Sequence, residues 1–182
     1  MASFYGFGLA RRTTAGRVKK LLERIYGDKL QNVKFVSLYG SRKEFSDVDV
    51  FVVSENFKEI TTDWLDVRVE KMSEFEKQVR SLDVSLVCPL FDAECILGDK
   101  EYFENIKNQF KESPITEETI RYNLKKSREQ KELGLNYPKD SEGRIQGLAY
   151  SKSYLKNYLA LKSGKKFLQK KNYFYLRKAK TL

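Results

Sequence analysis

Apolar and polar positions change period several times along the chain, and each change predicts an element. Val18, Leu21, Leu22, Ile25 and Tyr26 recur at helical spacing, with Gly27 as the stop and Thr13 or Thr14 placed to cap the start. Val33 to Tyr39 reads as a strand ended by Gly40-Ser41. From Asp47 to Val53 the alternation is strict: Val48, Val50 and Val52 face one way, Asp47, Asp49 and Phe51 the other. Leu65 to Glu70 alternates likewise, with Leu65, Val67 and Val69 apolar and Asp66, Arg68 and Glu70 polar. Ser73-Glu74-Phe75-Glu76 is a capping box that predicts a short helix to about Arg80. Ala93 to Leu97 predicts a fourth strand, and Asp99 caps a helix whose Phe103, Ile106 and Phe110 share a face.

Beyond Ser113-Pro114 the pattern is helical only. Thr116 reads as an N-cap, flanked by Ile115 and Ile120 at staple spacing, for a helix running to about Leu133 and stopping at Gly134. A polar loop from Pro138 to Gly143 leads to a helix with Leu148, Tyr154, Leu155, Tyr158 and Leu159 on one side, broken at Ser163-Gly164. A basic segment with Phe167, Leu168, Tyr173, Phe174 and Leu176 closes the chain. This order predicts an α/β (α+β) fold: a small mixed sheet with helices in residues 1–112, then a basic helical domain in 113–182.

Composition supports a folded protein, with 41% hydrophobic and 13% aromatic residues in 182. Charge is uneven. Residues 1–110 carry 17 Lys+Arg against 18 Asp+Glu, whereas residues 111–182 carry 18 against 7, so the net charge of +10 comes from the second half. Such a cation attracts phosphates on nucleotides, RNA or anionic lipid. Cys88 and Cys95 form no C-x-x-C pair, which predicts free thiols in a reducing cytoplasm. No apolar run approaches the ~20 residues of a membrane helix, and Arg11 and Arg12 follow the short N-terminal apolar stretch instead of preceding it, unlike a signal peptide. A cytoplasmic protein without a membrane partner is expected. There is no histidine, so Ser-His-Asp, Cys-His and His-ligated metal chemistry is excluded.

The segment Leu38 to Val53 carries the chemistry. A strand ends in Gly-Ser, a short turn follows, and the next strand opens with Asp-x-Asp. Alternation sets Asp47 and Asp49 on one face with Cα atoms roughly 7 Å apart, twice the strand rise. Two carboxylates on a polar face can hold two divalent cations about 3.5–4 Å apart, as phosphoryl-transfer sites do. Magnesium suits oxygen ligands of this kind, and manganese is an acceptable substitute. Gly40 permits close backbone approach, so its N–H and the N–H and hydroxyl of Ser41 can hold a phosphate.

Gly40-Ser41-Arg42 followed by Ser46-Asp47-Val48-Asp49-Val50 resembles the signature of the DNA polymerase beta-type nucleotidyltransferase superfamily. The likeness is greatest to its minimal stand-alone and antibiotic-modifying members, in which a helical region follows the catalytic domain. It implies that Gly40, Ser41 and Arg42 contact a nucleoside triphosphate, that Asp47 and Asp49 bind two Mg²⁺ ions, and that a third acidic residue on a later strand completes the set. The specific match covers about ten residues, and the element order extends it weakly to about residue 110. One departure is the turn: only five residues, Arg42 to Ser46, separate Gly-Ser from Asp47, and many relatives have more. For the third carboxylate Asp63, Asp66, Glu70 and Asp83 compete. Parity favours Asp66 over Asp63, and a loop or cap role suits Asp83, so Asp66 is chosen; the resemblance implies that it binds one metal and helps deprotonate the acceptor hydroxyl, against a plain ion pair with Arg68 or a neighbouring lysine.

Other signals are weaker. Gly6-Phe7-Gly8 lacks a preceding strand, and Ser163-Gly164-Lys165-Lys166 lacks the glycine that a phosphate loop needs at 159. Tyr150, Tyr154 and Tyr158 read as a core-packing row with hydroxyls at its rim, or as a stacking platform for bases. The lysine-rich tail reads as a phosphate-backbone groove or a solvated helix face. The expected function is metal-dependent transfer of a nucleoside monophosphate to an acceptor hydroxyl on RNA, protein or a small molecule, with residues 111–182 able to hold a polyanionic acceptor. A non-catalytic basic RNA-binding module and one half of a toxin–antitoxin pair are the alternatives.

Overall fold

The two alternating segments become the central strands of a sheet. A computed structural model describes residues 15–40, 48–62 and 65–167. Among these, β1 (Phe35–Tyr39), β2 (Val48–Val53), β3 (Ile60–Thr61), β4 (Leu65–Glu70) and β5 (Glu94–Gly98) form one sheet in the order β3-β4-β2-β1-β5. The sheet is mixed: β2 and β4 run parallel, and the other neighbours are antiparallel. Val36, Leu38, Val48, Val50, Val52, Leu65 and Val67 come from one face and bury against Val18 and Leu22 of helix α1 (Ala15–Tyr26) and against Leu30. Nearly complete burial of such side chains is worth roughly 1.5–3 kcal/mol each, which helps to fix strand register, because a one-residue slip would move this whole set to the other face of the sheet.

The chain divides into two compact units. The first comprises residues 1–72 and 93–100, and the second residues 73–92 and 101–182. The first, the sheet unit, holds α1 and all five strands. The second, the helical unit, holds α2 (Met72–Arg80) from Ser73, α3 (Val87–Phe91), α4 (Lys100–Glu112) from Glu101, α5 (Glu117–Asn136) and α6 (Glu142–Lys162). The step in charge and composition at Ser113-Pro114 therefore lies inside the helical unit.

Several local expectations meet the structure directly. Thr116 caps α5 in a reciprocal box: its hydroxyl accepts from the Thr119 N–H at 3.2 Å, and Thr119 Oγ1 accepts from the Thr116 N–H at 2.9 Å. Three expectations need correction. A two-residue strand, β3, and the short α3 with its preceding 3₁₀ turn at Val84–Leu86 occur where no periodicity announces them. Helix α5 runs through Gly134 to Asn136. Gly134 is a contact point instead of a stop, because a Cβ on Gly147 of α6 would lie 2.6 Å from its Cα. Finally, α6 does not pack through Leu155 and Leu159. It buries Gly147, Ser151, Tyr154, Asn157 and Leu161, and leaves Leu155 and Leu159 exposed. Small residues let the α5 and α6 backbones approach, and Leu155 and Leu159 are turned to the other side.

Candidate active site

The register of β2 against β4 brings two carboxylates together. In that parallel pair Asp49 is the Cα partner of Asp66. Neighbouring strands lie about 4.8 Å apart, and partner residues in a ladder project to the same face, so the two side chains stand next to each other, both half-buried. Like charges directly opposite in a sheet oppose folding.

Three more residues shape this corner. Tyr39, the last residue of β1, is the Cα partner of Asp49 on its other side. Gly40 follows with φ of 84°, in the left-handed region where glycine is at ease. A Cβ there would overlap Asp49 Oδ2, so the carboxylate lies directly against the glycine backbone. On the far side, Thr61 of β3 pairs with Asp66, and its hydroxyl donates to Asp66 Oδ1 at 3.1 Å. Thr61 escapes sequence reasoning because a two-residue strand has no period to detect. The hairpin that carries it is closed by Thr62, whose N–H donates to the Leu65 carbonyl at 2.8 Å and whose hydroxyl accepts from the Leu65 N–H at 3.1 Å.

Arg68, two residues along β4, has Glu70 as a partner on its own strand. Its guanidinium bonds Glu70 Oε1 at 2.7 Å and lies over the Phe51 ring, 5.2 Å from its centre. The plain ion pair between Asp66 and Arg68 is thus not what forms. Ser41, Arg42 and Asp47, and the competing Asp63, lie outside the described residues. Among the described residues no group of three or more metal-ligating side chains occurs. Asp49 and Asp66 still supply a hard, all-oxygen donor pair of the kind magnesium or manganese takes.

No protein-family model matches the chain, and no curated protein matches it. One solved structure that it resembles is the nucleotidyltransferase-like protein from Exiguobacterium sibiricum 255-15, with a TM-score of 0.48 and 12% identity over 82% of this chain. The chain spans 59% of that protein's length.

Asp83, the acidic residue that competed with Asp66, has a different environment. It caps the 3₁₀ turn at Val84–Leu86, accepting from the Ser85 N–H at 2.8 Å. Tyr154 donates to its Oδ1 and Tyr122 to its Oδ2, both at 2.7 Å. At 1% exposure it is closed off from solvent. Burial, together with the Asp83 charge, raises the Tyr122 phenol well above its ordinary pKa, so Tyr122 stays a donor. Tyr154 is therefore a buried hydrogen-bond donor, whereas Tyr150 is exposed, and the tyrosine row is neither a continuous core stripe nor a continuous platform. Both cysteines are free, and no helix among the described residues is long and apolar enough to cross a membrane.

Proposed function

We propose that the chain is a metal-dependent nucleotidyltransferase acting at the Gly40–Asp49–Asp66 corner. The observation that carries the reading is the β2–β4 register, which sets Asp49 beside Asp66 with Gly40 packed on the Asp49 carboxylate. Two half-buried like charges at a strand end favour a cation. The reading joins this geometry to the Gly-Ser…Asp-x-Asp order of the sequence, which adds Asp47 to the acidic set and Ser41 and Arg42 to the phosphate side.

Asp47, Asp49 and Asp66 would hold magnesium, which when bound neutralises the triphosphate and lowers the pKa of the acceptor hydroxyl. The chain's own groups do the positioning. Gly40 and Ser41 offer backbone N–H groups to the phosphates, and Arg42 adds a cation that stabilises charge developing on the leaving pyrophosphate. Asp66 accepts the proton of the attacking hydroxyl, and Thr61 fixes the rotamer of Asp66 through its hydrogen bond. In the balanced reaction the acceptor oxygen bonds to the α-phosphorus, the bond from that phosphorus to the bridging oxygen breaks, and pyrophosphate departs with the electron pair. The acceptor is a hydroxyl of RNA, protein or a small molecule, and the excess of Lys and Arg after residue 110 raises the local concentration of any polyanion.

The test is incubation with each labelled nucleoside triphosphate and Mg²⁺ or Mn²⁺, first alone and then with total RNA or with protein extract. Metal-dependent pyrophosphate release and label transfer that vanish in Asp49→Asn support the reading. Label transfer that survives in both Asp49→Asn and Asp66→Asn defeats it.

A further inference from the structure

The positive charge of the second half is concentrated further than a half-by-half count reveals. Residues 111–142 hold equal numbers of acidic and basic residues, whereas residues 143–182 hold 11 Lys+Arg and no Asp or Glu. Helix α6 is the part of this stretch that the structure describes most fully, and it has two faces. One carries Gly147, Ser151, Tyr154, Asn157 and Leu161, which are buried. The other carries Ile145, Leu148, Lys152, Leu155, Leu159 and Lys162, separated by three, four, three, four and three residues. That spacing is the a/d seam of a heptad repeat. Ile145, Leu155 and Leu159 are 48%, 42% and 53% exposed, which is a large apolar exposure along one line of a helix.

We infer that this α6 seam is a docking surface for an acidic amphipathic helix of another protein. The inference does not depend on the transferase reading. Charge selects the occupant. A second copy of α6 in parallel register would set Lys152 against Lys152 inside the seam, with no carboxylate after Glu142 to offset it. A partner helix with leucines on its seam and glutamates beside them buries Ile145, Leu155 and Leu159 and pairs with Lys152, Lys156 and Lys162. One charged residue at a seam position sets register at some cost in stability, and the cost falls when the partner supplies the opposite charge. Nucleic acid suits the face less well. Bases stack on aromatic rings, and every apolar residue of this seam is aliphatic. A lipid surface suits it less well too, because Lys152 interrupts the apolar line between Leu148 and Leu155.

The experiment is a fluorescence-polarisation titration of the full chain. The probe is a synthetic heptad peptide with leucine at its a and d positions and glutamate at its e and g positions. The same peptide with glutamine for glutamate, phosphatidylglycerol vesicles and a single-stranded oligonucleotide are run beside it. The acidic peptide is expected to bind at least about tenfold more tightly than the glutamine peptide. Leu155→Glu with Leu159→Glu should weaken it about tenfold or more. Both positions are exposed, so the fold should hold, and circular dichroism checks that it does. Lys152→Glu with Lys156→Glu should lose the acidic peptide and gain one carrying lysine at e and g. The proposal is overturned if the acidic peptide does not bind. It is equally overturned if the peptide binds regardless of the two leucines, or if the leucines govern vesicle or oligonucleotide binding instead.

Discussion

Asp83 in the helical unit accepts from two tyrosine hydroxyls and one backbone N–H, and is shut away from water. Asp49 and Asp66 in the sheet unit stand side by side, half-buried, with a threonine hydroxyl on one of them and a glycine backbone against the other. Both arrangements put negative charge at the margin of an apolar core. In the first, neutral donors converge on one anion, so its desolvation is offset internally and nothing further is called for. In the second, two anions share a strand-pair position, and the function proposed above puts a cation beside them. On that proposal the first carboxylate serves the fold and the second pair serves a ligand.

That contrast breaks first at the pair. Asp49→Asn or Asp66→Asn should lower nucleotide transfer by about 10²–10³, the scale of losing one preorganised electrostatic contact. The melting temperature should stay level or rise, because a repulsion is relieved. Calorimetry beside a transfer assay measures both, and a marked fall in melting temperature would place these residues with Asp83 as structural. Asp83→Ala should do the reverse, costing about 3–5 kcal/mol in a denaturant titration by stranding three donors, one of them on the buried Tyr154. Gly147→Ala should cost about 1–3 kcal/mol, because its new Cβ would lie 2.6 Å from the Gly134 Cα and drive α5 and α6 apart.

A pH series sharpens the same comparison. The raised phenol of Tyr122 means that the folded chain holds that proton more tightly than the unfolded chain does. Its contribution is whole below the ordinary tyrosine value of about 10 and is lost as pH climbs toward the folded value. Tyr122→Phe should therefore flatten the alkaline limb of a stability–pH curve. The smallest effect is expected at Thr61→Val, which removes the hydroxyl on Asp66 while keeping shape. It should reduce transfer several-fold, with stability changed by no more than about 1 kcal/mol.

Where a period is long enough, the sequence specifies the structure. Six alternating residues suffice for β2 and for β4, and parity alone assigns Asp66 to the polar face. Thr116 announces its helix because a cap acts within four residues. What resists reading depends on contacts distant in sequence. Gly134 looks like a stop until Gly147 is seen against it. Leu155 and Leu159 look like core until the small-residue face is seen to do the packing. The neighbourhood of Asp49 and Asp66 is a matter of strand order, and nothing in either segment alone says that β2 and β4 are adjacent. Asp47, Ser41 and Arg42 lie outside the described residues, so their part in the site rests on the motif.

The two units are threaded through each other along the chain. The sheet unit takes residues 1–72, yields to the helical unit for 73–92, and resumes for 93–100. During synthesis β1 thus leaves the ribosome long before β5, its partner on the outer side, and exposes an unpaired edge meanwhile. Asp83 likewise waits for Tyr122 and then for Tyr154 before its charge is fully met. No single cut separates the two units, each complete and free of the other's residues. Ending the chain at residue 72 removes the strand beside β1, and ending it at 112 keeps that strand but removes both tyrosines that hold Asp83. Dissecting this protein requires a circularly permuted or internally spliced chain, and its natural translation requires that the nascent edge of β1 be kept from other chains.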